Sequence, residues 1–327
     1  MGKTIGIEIG NSTIKLVVVR GKRVQTMAVK QLPENMVLDG KVTSPDAMTT
    51  FIKEMRKEFR IPRGNAALVL PIGAVITNTF EVPPMTDQEL TLNLPFEFRD
   101  YVGPETGKFH YDYAVLKTIS AEGEEQEKLE IFAAAVRKET IDRSYDMLKR
   151  AGLTLKVAIP REMALQNLLI RTPNEPEELC IIDIGTNSTH VYIFARDHFL
   201  MGREIEIGSR QIDEAIAAEK QVDTHLARTY KEADMDGVLT SAPVTEIYNN
   251  LAVEVMRAVN FYNSYGNQSA HLNDLYFCGG SSSIEPLREA VRRITEMNTH
   301  HIQELIPGSS KVPETLSCAL AAGAALQ

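Results

Sequence analysis

Two short segments of this chain repeat one chemical pattern. Residues 5–18 read IGIEIGNSTIKLVV and residues 180–193 read CIIDIGTNSTHVYI. Each runs acid, apolar residue, glycine and polar turn, with Glu8 and Gly10 in the first and Asp183 and Gly185 in the second. Consecutive backbone N–H groups in such a turn cradle phosphate oxygens, and glycine allows close backbone approach. The hydroxyls of Ser12, Thr13, Thr186 and Ser188 and the amides of Asn11 and Asn187 add donors. Lys15, just past the first turn, neutralises phosphate as a point cation. Glu8 and Asp183 would repel phosphate directly, but they suit Mg²⁺ held through water, because that ion uses one or two carboxylates plus phosphate oxygens. A third segment, CGGSSSIEPL from Cys278, offers Gly279 and Gly280 to a nucleoside or a phosphate. His190 occupies the position equivalent to Lys15 and reads as a strand side chain rather than a ligand.

The elements that must position these groups follow from local pattern. Each repeat reads as a β-hairpin. Residues 44–59 carry a Ser-Pro start and the apolar spacing of a helix, and AALVLP at 66–71 reads as a buried strand. In the second half, FLMGREIEIG is a strand, SRQIDEAIAAEKQVD a helix, residues 243–266 the longest helical pattern, and residues 272–295 a strand, glycine turn and helix. The terminal ETLSCALAAGAALQ is a helix of small residues that permits close backbone approach. Residues 72–158 read β-α-β-β-α-β, a split βαβ module, with Pro95 set to break or kink its first helix. An acidic tip at 122–127 is a solvated loop with no chemistry assigned. The expectation is an α/β protein with two lobes. The first is 1–71 with 159–178, interrupted by the insert, and the second is 179–327 with a helical subdomain at about 219–270.

Composition bounds the function. The chain has 327 residues, 43% hydrophobic and 24% charged, enough for a sizeable core. A net charge of −9 with pI near 5.4 argues against nucleic-acid partners. No apolar run reaches membrane-spanning length, and no signal-peptide pattern is present at the start. Cys180, Cys278 and Cys318 are scattered in apolar runs and read as reduced, buried residues, and no Cys/His spacing suggests zinc.

The paired acid-x-Gly turns, the late Gly-Gly turn and the small-residue terminal helix resemble the actin/Hsp70/sugar-kinase superfamily, an actin-like fold of two ribonuclease H-like halves. The segments LPIGAVITNTFEVPPMTDQEL, RAGLTLKVAIP, REIEIGSRQIDEAI and FCGGSSSIEPL are similar to the type IV pilus assembly protein PilM family, related to the division protein FtsA. The resemblance implies binding of ATP or ADP with Mg²⁺ between the lobes. It also implies docking of the cytoplasmic N-terminal peptide of a PilN-like inner-membrane protein onto the first lobe. A place among pilus assembly ATPases or ring components follows, with self-association an option and with the membrane reached only through the partner. On this resemblance Gly10, Asn11, Ser12 and Lys15 form the first phosphate loop and Asp183, Gly185, Thr186 and Asn187 the second. Gly279, Gly280 and Ser281 form the adenosine loop, and Arg257 either lines the base pocket or is a solvated helix arginine.

Two departures bear on catalysis. The opening acid is Glu8 rather than Asp, and Arg161 falls at the slot of the catalytic acid with Glu162 beside it. An arginine cannot act as a base at neutral pH, so slow or absent hydrolysis is expected unless Glu162 fills the slot. A small-molecule kinase on the same fold and an FtsA-like division protein remain alternatives. The second expects a basic amphipathic terminus, whereas this chain ends CALAAGAALQ.

Overall fold

In a computed structural model of the chain, the described residues are 2–120, 127–169, 178–195, 198–265, 272–306 and 316–326. The opening apolar alternation forms β1 (Lys3–Ile9) and β2 (Thr13–Arg20), followed by β3 (Arg23–Gln31) and a small ladder of β4 (Val37–Leu38) and β5 (Lys41–Val42). Next come α1 (Pro45–Glu58) and β6 (Gly64–Val69). Ser44 caps α1 by accepting from the Ala47 N–H, and Pro45 at the first position is pre-set for the helix. Met48, Ile52 and Met55 of α1 meet Ile5, Ile7, Ile14 and Leu16 in one core.

The inserted segment carries β7 (Val75–Val82), α2 (Asp87–Glu97), a short α3 (Arg99–Val102), β8 (Phe109–Ile119) and β9 (Lys128–Arg137). A capping box closes α2, Thr86 accepting from the Glu89 N–H while Glu89 accepts from the Thr86 N–H. Pro95 sits in the last turn of α2, where it cannot donate to the Thr91 carbonyl four residues back, and the helix ends two residues later. Leu90, Leu94 and Phe98 cover the antiparallel sheet β7-β9-β8.

The chain then continues through α4 (Lys138–Arg150) and β10 (Leu153–Ile159). These two were expected in the insert, which alters the boundary 72–158. β10 pairs with β6 in the first-lobe sheet, and Met147 and Leu148 of α4 join the core under α1. The independent insert sheet is therefore built from residues 75–137 alone. The expected acidic tip falls, up to residue 126, outside the described residues.

After α5 (Arg161–Leu169) the second lobe runs β11 (Glu178–Ile184), β12 (Thr189–Ala195), β13 (Phe199–Ile205), α6 (Ser209–Lys220), α7 (Thr224–Ala233) and α8 (Ala242–Tyr265). It finishes with β14 (Asp274–Cys278), α9 (Glu285–Thr295), β15 (Asn298–His301) and α10 (Ala319–Ala325). The strand orders are β3-β2-β1-β6-β10 and β13-β12-β11-β14-β15. Each sheet is an antiparallel three-strand meander extended by two parallel strands, so the two lobes repeat one topology.

The helices α5 and α10 lie between the sheets. Their Ala164, Leu165, Leu168, Leu320 and Ala321 share a core with Val17 and Val69 of the first lobe and with Ile181 and Tyr192 of the second. Contact there is as close as backbone allows. A Cβ added at Gly323 would lie 1.8 Å from the Ala164 carbonyl oxygen, and one at Gly6 would lie 1.7 Å from that of Ala321. The small-residue composition of the last helix is thus a packing requirement. All three cysteines are buried, as their apolar surroundings in the sequence implied.

Candidate functional site

The two hairpin turns have the same construction. The Gly10 N–H donates to the Thr13 carbonyl at 2.9 Å, and the Gly185 N–H donates to that of Ser188 at 3.0 Å. In register, Glu8 faces Lys15 across the first hairpin and Asp183 faces His190 across the second. The turns meet, since the Thr186 hydroxyl donates to the Ser12 hydroxyl at 3.0 Å. Each is braced from outside. Asn11 Oδ1 accepts from the Gly40 N–H at 3.0 Å, which ties the first turn to the loop after β4. The Ser209 and Arg210 N–H groups donate to the Gly185 and Thr186 carbonyls at 3.0 and 2.9 Å, which ties the second turn to the start of α6.

These turns line one side of a cleft of about 940 Å³ between the lobes. Glu8, Gly10, Asn11, Ser12, Thr13, Lys15, Asp183, Gly185, Thr186, Asn187, Gly279, Gly280 and Ser281 all border it, so the structure brings together every glycine-turn residue expected from the sequence. Gly279 has φ of +92°, and a Cβ there would sit 2.4 Å from the Ile184 carbonyl oxygen, so the third turn is pressed onto the end of β11 and requires glycine. Gly280 faces open space, with nothing within 4 Å of an added Cβ.

Two expected residues stand elsewhere. Glu162, on the first turn of α5, does not line the cleft, and burial pushes its carboxyl above the ordinary range. Arg257 lies on the exposed face of α8, paired with Glu254 and away from the cleft. It is Arg161 that enters the cleft.

Arg161 joins the two acids. It donates to Asp183 and, through Nε at 3.2 Å, to the Tyr192 hydroxyl, while its Nη1 lies 3.9 Å from Glu8. Lys15 Nζ donates to Glu8 at 2.9 Å. Burial alone would raise the Asp183 pKa, but Arg161, then His190 and Lys15, hold it below the usual carboxylate range. Burial and the Arg161 charge lower the pKa of His190, whose Nε2 lies 3.2 Å from the Ser188 hydroxyl, so the imidazole is neutral near pH 7. Both acids expected to hold Mg²⁺ through water are thus already paired with side-chain cations. Among the described residues no group of three or more His, Cys, Asp or Glu side chains could hold a metal ion. The residues present do not fit a magnesium ion held between Glu8 and Asp183.

A second charged cluster that borders the cleft was not anticipated. Asp213 of α6 is buried, with Lys231 Nζ of α7 at 2.6 Å and Arg228 Nε at 3.7 Å. The available signal was an acid inside the buried stripe Ile212, Asp213, Ile216. The flanking Arg228 and Lys231 read, from sequence alone, as ordinary solvated helix charges.

Comparison with known proteins places this geometry. A sequence profile described as type IV pilus assembly protein PilM matches residues 6–309. A solved PilM-PilN type IV pilus biogenesis complex contains a chain 25% identical, with TM-score 0.83, covering 99% of this chain and 97% of that one. The ethanolamine utilization protein EutJ from Carboxydothermus hydrogenoformans is 15% identical with TM-score 0.64, covering 100% of this chain and 90% of that one. MreB5 of Spiroplasma citri bound to ADP is 12% identical with TM-score 0.51, covering 98% and 94%. The last two establish the fold alone, an actin-like one. With the family profile spanning nearly the whole chain, this protein belongs to the type IV pilus assembly protein PilM family.

Proposed function

We propose that this member of the family binds an adenine nucleotide in the cleft, hydrolyses it slowly or not at all, and captures the N-terminal peptide of a PilN-like inner-membrane protein at its cytoplasmic side. The observation that carries the nucleotide reading is the meeting of the two turns, one from each lobe, at the Ser12–Thr186 contact. Backbone N–H groups from both lobes and Lys15 then serve one phosphate tail. Asp213, Arg228, Lys231 and Ser281 also line the cleft and would supply polar groups to a nucleoside. The solved relative bound to ADP and the relative from the PilM-PilN complex support the two ligand classes. For the peptide, β7 is an edge strand of the insert sheet and joins the first lobe directly, so strand addition there would draw affinity from backbone hydrogen bonds. No helix among the described residues is long and apolar enough to cross a membrane, so contact with the bilayer would run through the partner.

Slow hydrolysis follows from the side chains at the turns. Arg161 stands in the cleft where a base would be needed, and Glu162 is turned away from it. Phosphate release from ATP is expected at least a hundredfold below the ~1–1000 per second of ordinary enzymes. Brisk turnover that disappears in Glu162→Ala would overturn this. Calorimetric titration with ATP and ADP tests the binding itself, and no heat from either would sink the reading. Gly280→Val supplies a second check. The new Cβ has no protein atom within 4 Å, so the melting temperature is expected to stay within a few degrees. Its side chain fills cleft space, so ATP affinity is expected to fall at least tenfold.

A further inference from the structure

The two acids of the cleft come from different lobes, and a guanidinium stands between them. Glu8 is on β1, Asp183 on β11, and Arg161 opens α5. The Glu8, Lys15, Asp183 and Arg161 side chains are each at most 15% exposed. Two acids and two bases cancel, so the cluster has no net charge and no unmet demand for a divalent ion. A magnesium ion seated at Asp183 would have to displace Arg161 and leave a buried guanidinium unpaired, which is costly. The guanidinium never loses its proton at physiological pH, so this cation is permanently present. Its fork is also not used up. Nε serves Tyr192 and Nη2 serves Asp183, while Nη1 stands 3.9 Å from Glu8, too far for a hydrogen bond, in a residue that borders the cleft. A guanidinium edge is well matched to phosphate oxygens.

Resting on the nucleotide reading above, we infer that Arg161 is the resident counter-ion of the cleft, and that an adenine nucleotide binds here without a divalent metal ion. Its phosphate oxygens are taken by the two turns, by Lys15 and by the Nη1 edge of Arg161. The role is specific to this side chain. An acid at position 161 would leave three carboxylates around Lys15 and would call a metal ion in.

The test is calorimetric titration of the nucleotide-stripped full chain with ATP, once in excess Mg²⁺ and once in excess EDTA. Dissociation constants within about threefold of each other are expected. A weakening of tenfold or more in EDTA would overturn the inference while leaving nucleotide binding intact. No binding in either buffer would overturn the nucleotide reading and this inference with it. The variant Arg161→Gln, checked for folding by circular dichroism, is expected to become metal-dependent, with at least tenfold weaker binding in EDTA than in Mg²⁺. Arg161→Lys, which keeps a cation, is expected to stay metal-independent. Equal binding of Arg161→Gln in the two buffers would show that the guanidinium is not the counter-ion. Should that variant not fold, the titration of the unaltered chain decides.

Discussion

Gly323→Ala is expected to destabilise the protein by about 3 kcal/mol or more, at the upper end of overpacking costs. Two effects compete at this position. Alanine favours a helix over glycine by about 1 kcal/mol, so propensity alone predicts a gain. Against it, the new Cβ would stand 1.8 Å from the Ala164 carbonyl oxygen, an atom of the α5 backbone that no rotamer change can remove. Sterics win because α5 and α10 must part before the methyl fits, and parting them opens the core shared by both lobes. Gly6→Ala, whose Cβ would meet the Ala321 carbonyl at 1.7 Å, is expected to behave alike. Gly280→Ala, with open space around it, is the control and should change stability by no more than about 0.5 kcal/mol. Urea denaturation of the three variants checks this, and a Gly323→Ala midpoint at or above that of the parent would refute the packing argument.

Arg161→Met is expected to cost about 3 kcal/mol at pH 7, the low end for breaking a buried pair, because the cleft admits some water. The loss comes from stranding Asp183, which is 5% exposed, rather than from the worth of the pair itself. A double variant with Asp183→Asn should therefore recover part of the loss, and the shortfall from additivity measures the coupling. The pH dependence carries a separate signature. In the parent the Asp183 carboxyl is held below its unfolded value, so its contribution is complete above about pH 4 and is lost as the pH falls further. Without Arg161, burial dominates and the carboxyl rises, so the variant's deficit should shrink on acidification from neutral pH toward pH 4. A deficit that is constant across that interval would remove Arg161 as the partner that matters.

What the sequence made legible was local. An acid, a glycine and a hydroxyl-rich turn fall within six residues, so their repetition half a chain away could be read directly, and both copies reach the cleft. Partner choice between distant strands could not be read. LTLKVAI announces a strand, but nothing in those residues says that it pairs with β6 rather than with the insert. The edge strands β3 and β15 are not legible in the sequence because RVQTMAVKQ is about half polar and NTHH wholly so, as edges facing water tend to be. Side-chain direction was the other limit. Arg161 and Glu162 are neighbours on one helix turn, and only the fold shows that the arginine takes the cleft. Arg257 illustrates the same point, since its helix is central to the second lobe while its own face looks outward.

The 3.0 Å contact between Ser12 and Thr186 has a kinetic corollary. Two hydroxyls that already touch leave no gap between them, so a polyphosphate that is to lie between the two turns would have to part this contact first. For such a ligand the arrival rate would then depend on how often the contact opens as well as on diffusion, and the re-formed contact would retard escape. A nucleotide trapped in this way would outlast many collisions with free competitors. Such a long-lived passenger suits a part that is built once into a larger machine better than one that cycles.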